Sequence, residues 1–268
     1  VSQVNLLADL LMRQVGVLVS VAEVQGSVPR ECGAWMAVFA DQVLGTIGGG
    51  HLEFQAIDMA RQRLNEPGGD ELQRFALGPS LGQCCGGVVH LRFEHVCADD
   101  IGEMRLRLQI HRQPVALFGG GHVGKALVQV LSHLPFDVLW VDSRGEIFPT
   151  KLPANVRCEH SDPVHAAVGD IPAQSRVLIM SFSHAEDLDV VASCLLRQRQ
   201  RGDLAYVGLI GSKTKWASFR HRLEARGFTA QELAGVTCPI GVAGIVGKEP
   251  EVIAVAVAAQ LLQLPVSG

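Results

Sequence analysis

The sequence predicts an α/β chain in two parts, a doubly wound parallel sheet of the Rossmann type preceded by a smaller N-terminal α+β domain. Three observations carry that expectation. From about Pro114 onward, short runs rich in β-branched residues alternate with segments that are apolar at helical spacing, the rhythm of strands joined by crossover helices. The first of those strands runs straight into Gly119, Gly121 and Gly124, a G-x-G-x-x-G spacing that turns the chain tightly and opens a helix. Before Pro114 the glycines cluster differently and no βαβ rhythm is present.

Taken in order, Asn5 to Arg13 reads as a short amphipathic helix and Val15 to Val24 as a strand. Ala34 to Ala40 and Gln42 to Ile47 form a hairpin across Asp41, and His51 to Leu64 is a helix opened by Gly48, Gly49 and Gly50. Pro67 to Asp70 is a break, Leu72 to Leu77 a strand, Gly78 to Gly87 a loop and Val88 to Phe93 another strand. Cys97 to Arg112 is expected to be one helix, which sets the domains at 1–112 and 113–268. In the second domain Val115 to Phe118, Val138 to Val141, Arg176 to Met180 and Tyr206 to Ile210 read as buried strands. Helices are expected over Val123 to His133, Leu188 to Gln198, Lys215 to Arg226 and Glu249 to Leu264.

With 268 residues, 48% of them apolar and 19% charged, the chain can bury a sizeable core without staples. A net charge of -4 supplies no basic field to gather nucleic acid or an anionic membrane, so an anion must be captured locally. No secretion signal and no run long enough to span a bilayer is read, and the expectation is a cytoplasmic protein. Seven cysteines, scattered apart from the adjacent Cys84 and Cys85, argue for reduced thiols over a disulfide framework.

Three places carry candidate chemistry. At the Gly119 turn, backbone N–H groups and a helix N-terminus offer themselves to a phosphate, and Asp142 ends the next strand where a carboxylate bonds ribose hydroxyls. That reading implies a nucleotide or pterin phosphate; the alternative is that the glycines only permit tight helix–sheet packing. Along the same sheet edge, His184, Glu186 and Asp187 follow the third strand, and Ser212 and Lys213 follow the fourth, as ligand contacts or as helix caps. At the second place, Gly48, Gly49 and Gly50 form a nest suited to an anion; His51 and Glu53 either contact that ligand or serve the first helical turn. At the third, Gln83, Cys84 and Cys85 lie in a glycine-rich loop. Adjacent cysteines without C-x-x-C spacing disfavour zinc, and leave nucleophiles, sulfur carriers or small buried hydrophobes. Cys32 and Cys238 are weaker candidates at loops, whereas Cys97, Cys158 and Cys194 read as structural.

Gly26-Ser-Val-Pro-Arg30, Gly45-Thr-Ile-Gly-Gly-Gly-His-Leu-Glu53, Leu77-Gly-Pro-Ser-Leu-Gly-Gln-Cys-Cys-Gly-Gly87, the Gly119 turn and Gly208-Leu-Ile-Gly-Ser-Lys213 together resemble the XdhC/CoxI family, the xanthine dehydrogenase accessory proteins. The resemblance covers nearly the whole chain. It implies a carrier, not a dehydrogenase: a protein that binds molybdenum cofactor (molybdopterin), protects it during sulfuration by a cysteine desulfurase, and supports its insertion into xanthine dehydrogenase. It further implies that Cys85, and beside it Cys84, contacts molybdenum or its transferable sulfur. The low charge content leaves room for an exposed apolar face, for which a homodimer or a dehydrogenase contact is expected. Near the end, Pro239 to Lys248 departs from the family's Pro-Ile-Gly-Leu-x-Ile-Gly run, and Gly241 and Lys248 are the positions carried over there. The competing readings are an NAD(P)-dependent oxidoreductase using the Gly119 loop and Asp142, and a scaffold that only bridges desulfurase and target enzyme.

Overall fold

The computed structural model describes residues 3–65, 71–77, 86–108 and 112–265, and the chain divides into two compact units, Val1–Gln109 and Ile110–Gly268. The break expected at Pro67 to Asp70 and the loop positions Gln83, Cys84 and Cys85 lie outside the described residues.

The first unit is built on an antiparallel sheet of five strands: β1 (Gly16–Gln25), β2 (Trp35–Val38), β3 (Val43–Gly45), β4 (Leu72–Ala76) and β5 (Val88–Val96), in the order β3-β2-β1-β5-β4. Central β1 carries Val17, Leu18 and Val19 in succession, all fully buried. Such a run suits a strand covered on both faces. Val17, Val19 and Val21 pack with Leu52, Ala56 and Ala60 of α2 (Gly50–Asn65). Leu18 points the other way, into a cluster with Leu7 and Leu11 of α1 (Gln3–Leu11) and Met104 of α3 (Ile101–Arg107).

The helix expected over Cys97 to Arg112 is broken at its start and short at its end. Ala98–Asp100 is a 3-10 turn, the Cys97 N–H donates to the Asp100 carboxylate at 2.8 Å, and only Ile101–Arg107 is α-helical. A local side-chain acceptor competes here with helical pairing.

The second unit contains six parallel strands: β6 (Gln113–Phe118), β7 (Phe136–Asp142), β8 (Val156–His160), β9 (Arg176–Ile179), β10 (Tyr206–Leu209) and β11 (Val236–Thr237). Their order, β11-β10-β9-β6-β7-β8, reverses direction between β6 and β9, which makes that pair the switch point of a doubly wound sheet. Alternation along β6 feeds two layers. Val115 and Leu117 meet α4 (His122–Leu131) and α8 (Pro250–Gln263); Ala116 and Phe118 meet α5 (His184–Arg201) and α6 (Lys213–Ala225). The edge strands β8 and β11 and the short helix α7 (Ala230–Leu233) went unpredicted. Arg157 and Glu159 in β8, and only two residues in β11, leave little of the apolar run that marks a buried strand.

Among the described residues no helix is long and apolar enough to cross a membrane.

Candidate functional site

In the first unit, the glycine loop before α2 is closed from inside the chain. Glu53 Oε2 accepts from Ile47 N at 2.9 Å and Gly49 N at 3.1 Å and also bonds the Thr46 hydroxyl, while Gly48 N donates to Thr46 Oγ1 at 3.1 Å. The nest therefore already holds an anion, the carboxylate three residues into its own helix. Burial raises the Glu53 pKa, but the Thr46 hydroxyl and the Gly49, Ile47 and Gly48 backbone more than offset it, and the group sits below its ordinary value. Glu53 Oε2 thus serves the loop, which is the first-turn reading of this residue. His51 is exposed beside it.

The same loop is where distant segments meet. At Gly48, φ is +125°, and a Cβ there would stand 2.8 Å from Pro29 Cβ and 3.1 Å from Arg30 Cγ, so only glycine admits this contact. A Cβ on Gly87 would fall 2.4 Å from the Ser27 carbonyl oxygen, and Gly26 approaches Gly87 Cα. Leu77 N–H donates to Gly87 O at 2.8 Å. Gly26 to Arg30, Gly45 to Glu53, and Leu77 with Gly86 and Gly87, the described flanks of residues 78–85, are thus packed together. Among the described residues, nothing lies within 4 Å of a Cβ built on Gly49 or Gly86.

In the second unit, the turn after β6 separates two closely packed glycines from an open one. Gly119 has φ +124° and a Cβ there would lie 2.0 Å from Met180 O; one on Gly124 would lie 2.1 Å from Gly119 O. These two glycines serve close packing. Gly121, the N-cap residue of α4, meets nothing within 4 Å and has no side-chain cap, so a ligand can approach its backbone.

Asp142 is the clearest departure from expectation. It is 1% exposed, and its carboxylate accepts from Gly120 N at 2.5 Å, Arg144 N at 2.9 Å, Arg144 Nε at 2.9 Å and Arg144 Nη2 at 3.0 Å. Both oxygens are filled, so in this state no acceptor is left for a ribose hydroxyl. Burial raises its pKa and the Arg144 and Gly120 donors more than reverse that, leaving it depressed. The Arg144 guanidinium also lies over the exposed Phe182 ring, 4.3 Å from its centroid, and Ser143 Oγ donates to Glu186 Oε1 at 2.7 Å.

The remaining edge residues divide between caps and pairs. Asp187 is buried, accepts from Ser181 N at 2.7 Å and pairs with Lys215 Nζ at 2.6 Å, while Glu186 Oε2 accepts from Phe182 N at 3.0 Å. Ser212 caps α6 by accepting from Lys215 N at 3.1 Å; Lys213 and His184 are exposed at the starts of α6 and α5. The Cys238 thiol is pushed up by burial, with Lys215 opposing, and Cys194 is pushed up to about 12 by complete burial. Cys32 is exposed, and Cys97 and Cys158 are partly buried. Gly241 N donates to Gln260 Oε1 at 2.7 Å, and Lys248 is exposed. Among the described residues no three His, Cys, Asp or Glu side chains gather as a metal site. A cavity of about 320 Å³ lined by His165, Ser193, Arg197 and Arg201 runs along the C-terminal half of α5, away from the glycine turn.

Sequence reasoning gave Arg30, Arg144, Phe182 and Lys215 no role. Arg30 was legible as the last residue of its motif. Arg144, two residues beyond Asp142, was the signal that the carboxylate has a partner of its own.

The chain is 28% identical over 251 residues to YqeB of Escherichia coli (strain K12), covering 92% of this chain and 43% of that protein, so it spans less than half of that relative's length. A solved structure described as a xanthine dehydrogenase from Bacillus halodurans superposes with TM-score 0.78 at 19% identity, covering 98% of this chain and 95% of that one; at such identity the likeness is one of fold. Residues 12–76 match the XdhC and CoxI family. Residues 115–261, over half of the chain, match the XdhC Rossmann domain, and the chain belongs to the XdhC family.

Proposed function

We propose that this chain is a carrier of molybdenum cofactor in the maturation of xanthine dehydrogenase. It holds the cofactor, shields it while a cysteine desulfurase supplies sulfur, and hands it to the dehydrogenase, acting by binding and transfer as a homodimer. Besides the family, one observation supports the reading. The glycine-rich segments of the first unit pack against one another at the flanks of residues 78–85, which include Gln83, Cys84 and Cys85.

The residues at that junction fit such a cargo. Backbone without side chains at Gly49 and Gly86 allows close approach, and the thiols of Cys84 and Cys85 would add soft donors to molybdenum or its sulfur. When bound, the cofactor supplies a molybdenum centre with a transferable sulfido ligand, and the chain's part is to orient it and exclude water. The Gly121 backbone in the second unit would take the phosphate of a nucleotide. An oxidoreductase reading needs Asp142 for the ribose, and that carboxylate is filled by Arg144 and Gly120.

The test is anaerobic binding of purified molybdenum cofactor to the wild-type chain and to Cys85→Ala, with NAD and NADP run alongside. The carrier reading expects uptake by the wild type that weakens in the variant. Clear nicotinamide binding without cofactor uptake would overturn it in favour of an oxidoreductase.

A further inference from the structure

We infer that Arg30 is the cationic receptor for a phosphate monoester at the glycine junction of the first unit; as applied to the phosphate of molybdopterin, this rests on the carrier reading above. The argument begins with the loop itself. A nest of backbone N–H groups next to a helix start would ordinarily serve as the anion site. Here Ile47 N and Gly49 N already donate to Glu53, and Gly48 N is taken by Thr46. An incoming phosphate finds those donors used and a carboxylate beside them. It therefore needs a positive charge from elsewhere.

Arg30 meets that need by position. Its stem packs on the backbone of Gly48, where a Cβ would come within 3.1 Å of Cγ, and the preceding Pro29 presses on the same glycine at 2.8 Å. Proline fixes its own φ, which limits how far this segment can drift. The residue is exposed and, among the described residues, its guanidinium has no hydrogen-bond or ion-pair partner. Arg107 in the same unit, by contrast, is clamped on Glu94. A guanidinium held by its stem, with none of its N–H groups bonded among the described residues, is suited to bidentate capture of phosphate.

The surroundings leave room for the rest of a ligand. Among the described residues nothing stands within 4 Å of where a side chain on Gly49 or Gly86 would begin, and Gly87 packs under Ser27 and Val28, next along the chain to Pro29 and Arg30. His51, exposed and likewise without a partner among the described residues, follows the loop and supplies a ring N–H. A phosphate on Arg30 would place the body of its ligand along this open glycine rim.

Two arms test the inference on the full chain. The first measures the dissociation constant of molybdenum cofactor under anaerobic conditions for wild type, Arg30→Ala and Arg30→Lys. The second titrates inorganic phosphate while following the Arg30 side-chain Nε–H resonance, assigned by its loss in Arg30→Ala. Arg30→Ala should weaken cofactor binding at least tenfold with an unchanged melting temperature, Arg30→Lys should recover only part of that, and phosphate should move the Arg30 resonance saturably. Cofactor uptake that is equal in wild type and Arg30→Ala sinks the role of Arg30 and leaves the carrier reading standing. A phosphate response without cofactor uptake does the reverse, keeping the phosphate site and removing the carrier. If neither is seen, both fail.

Discussion

Arg144 folds its guanidinium back onto the carboxylate of Asp142, Nε to Oδ1 at 2.9 Å and Nη2 to Oδ2 at 3.0 Å, while the Gly120 N–H closes the same carboxylate from the side of the glycine turn. A residue placed to read a ribose is thereby turned into a brace between the glycine turn and the end of β7. Asp142→Ala should cost about 1–3 kcal/mol for the buried donors left without an acceptor, read by urea unfolding. Arg144→Ala should also destabilise, because it leaves the buried Asp142 carboxylate without its cation and two of its donors. Equal stability of Asp142→Ala and wild type would show that the brace is not formed in solution. Loss of nucleotide binding in this variant is thus no proof of a ribose contact.

The glycines of the same turn separate packing from ligand approach. Gly119→Ala and Gly124→Ala should unfold or severely destabilise the second unit, because the new Cβ meets backbone at 2.0 and 2.1 Å. Gly121→Ala meets nothing within 4 Å, at a φ of -70° that alanine adopts freely. Its melting temperature should match wild type, yet binding of a nucleotide phosphate at the turn should fall. A Gly121→Ala protein that binds such a ligand normally would show that the turn is only a packing device.

Legibility in the sequence followed how local the determining forces are. The parallel sheet was readable because a buried strand such as Val115 to Phe118 must be apolar throughout and its glycine turn has a fixed spacing. β8 was not, since an edge strand tolerates Arg157 and Glu159. Helix starts were read a few residues late at α5 and α6, where Ser183 and Ser212 cap them through side-chain bonds. At the candidate site the segments were recognisable one by one. That Gly48 rests on Pro29, or that Glu53 fills the nest, depends on contacts that no residue spacing specifies.

The acid limb of stability has an identifiable contributor in Glu232. It accepts from Arg199 Nε at 2.5 Å and Nη2 at 2.9 Å and from Thr229 N at 2.8 Å; the Arg199 bond, then those of Thr229, lower its pKa from 4.5 to about 2. A depressed carboxylate stabilises the fold fully above its unfolded pKa and ceases to do so as pH falls through the folded value. The contribution should be present at neutral pH and disappear between pH 4.5 and about 2. NMR titration of the Glu232 side-chain carboxyl carbon checks the midpoint, and Glu232→Gln should flatten that part of the stability profile. A midpoint near 4.5 would mean that the Arg199 clamp is absent in solution.

Glu53 offers a test of the closed nest by chemical rescue. Its Oε2 takes the Ile47 and Gly49 N–H groups and the Thr46 hydroxyl, so Glu53→Ala leaves a ring of donors around an emptied position. The variant should lose about 1–3 kcal/mol. Because the vacated nest is then a true anion site, formate or acetate should restore part of the lost melting temperature in Glu53→Ala and do little for the wild type. Glu53→Gln should fall between the two, since an amide oxygen accepts but carries no charge. The depressed Glu53 pKa adds a pH signature: its stabilisation holds above the ordinary carboxylate range and fades as the pH drops below it. Identical anion responses in wild type and Glu53→Ala would mean that the nest does not close on Glu53. The backbone donors there would then be free for an external phosphate, and the case for Arg30 as the receiving charge would lose its first premise.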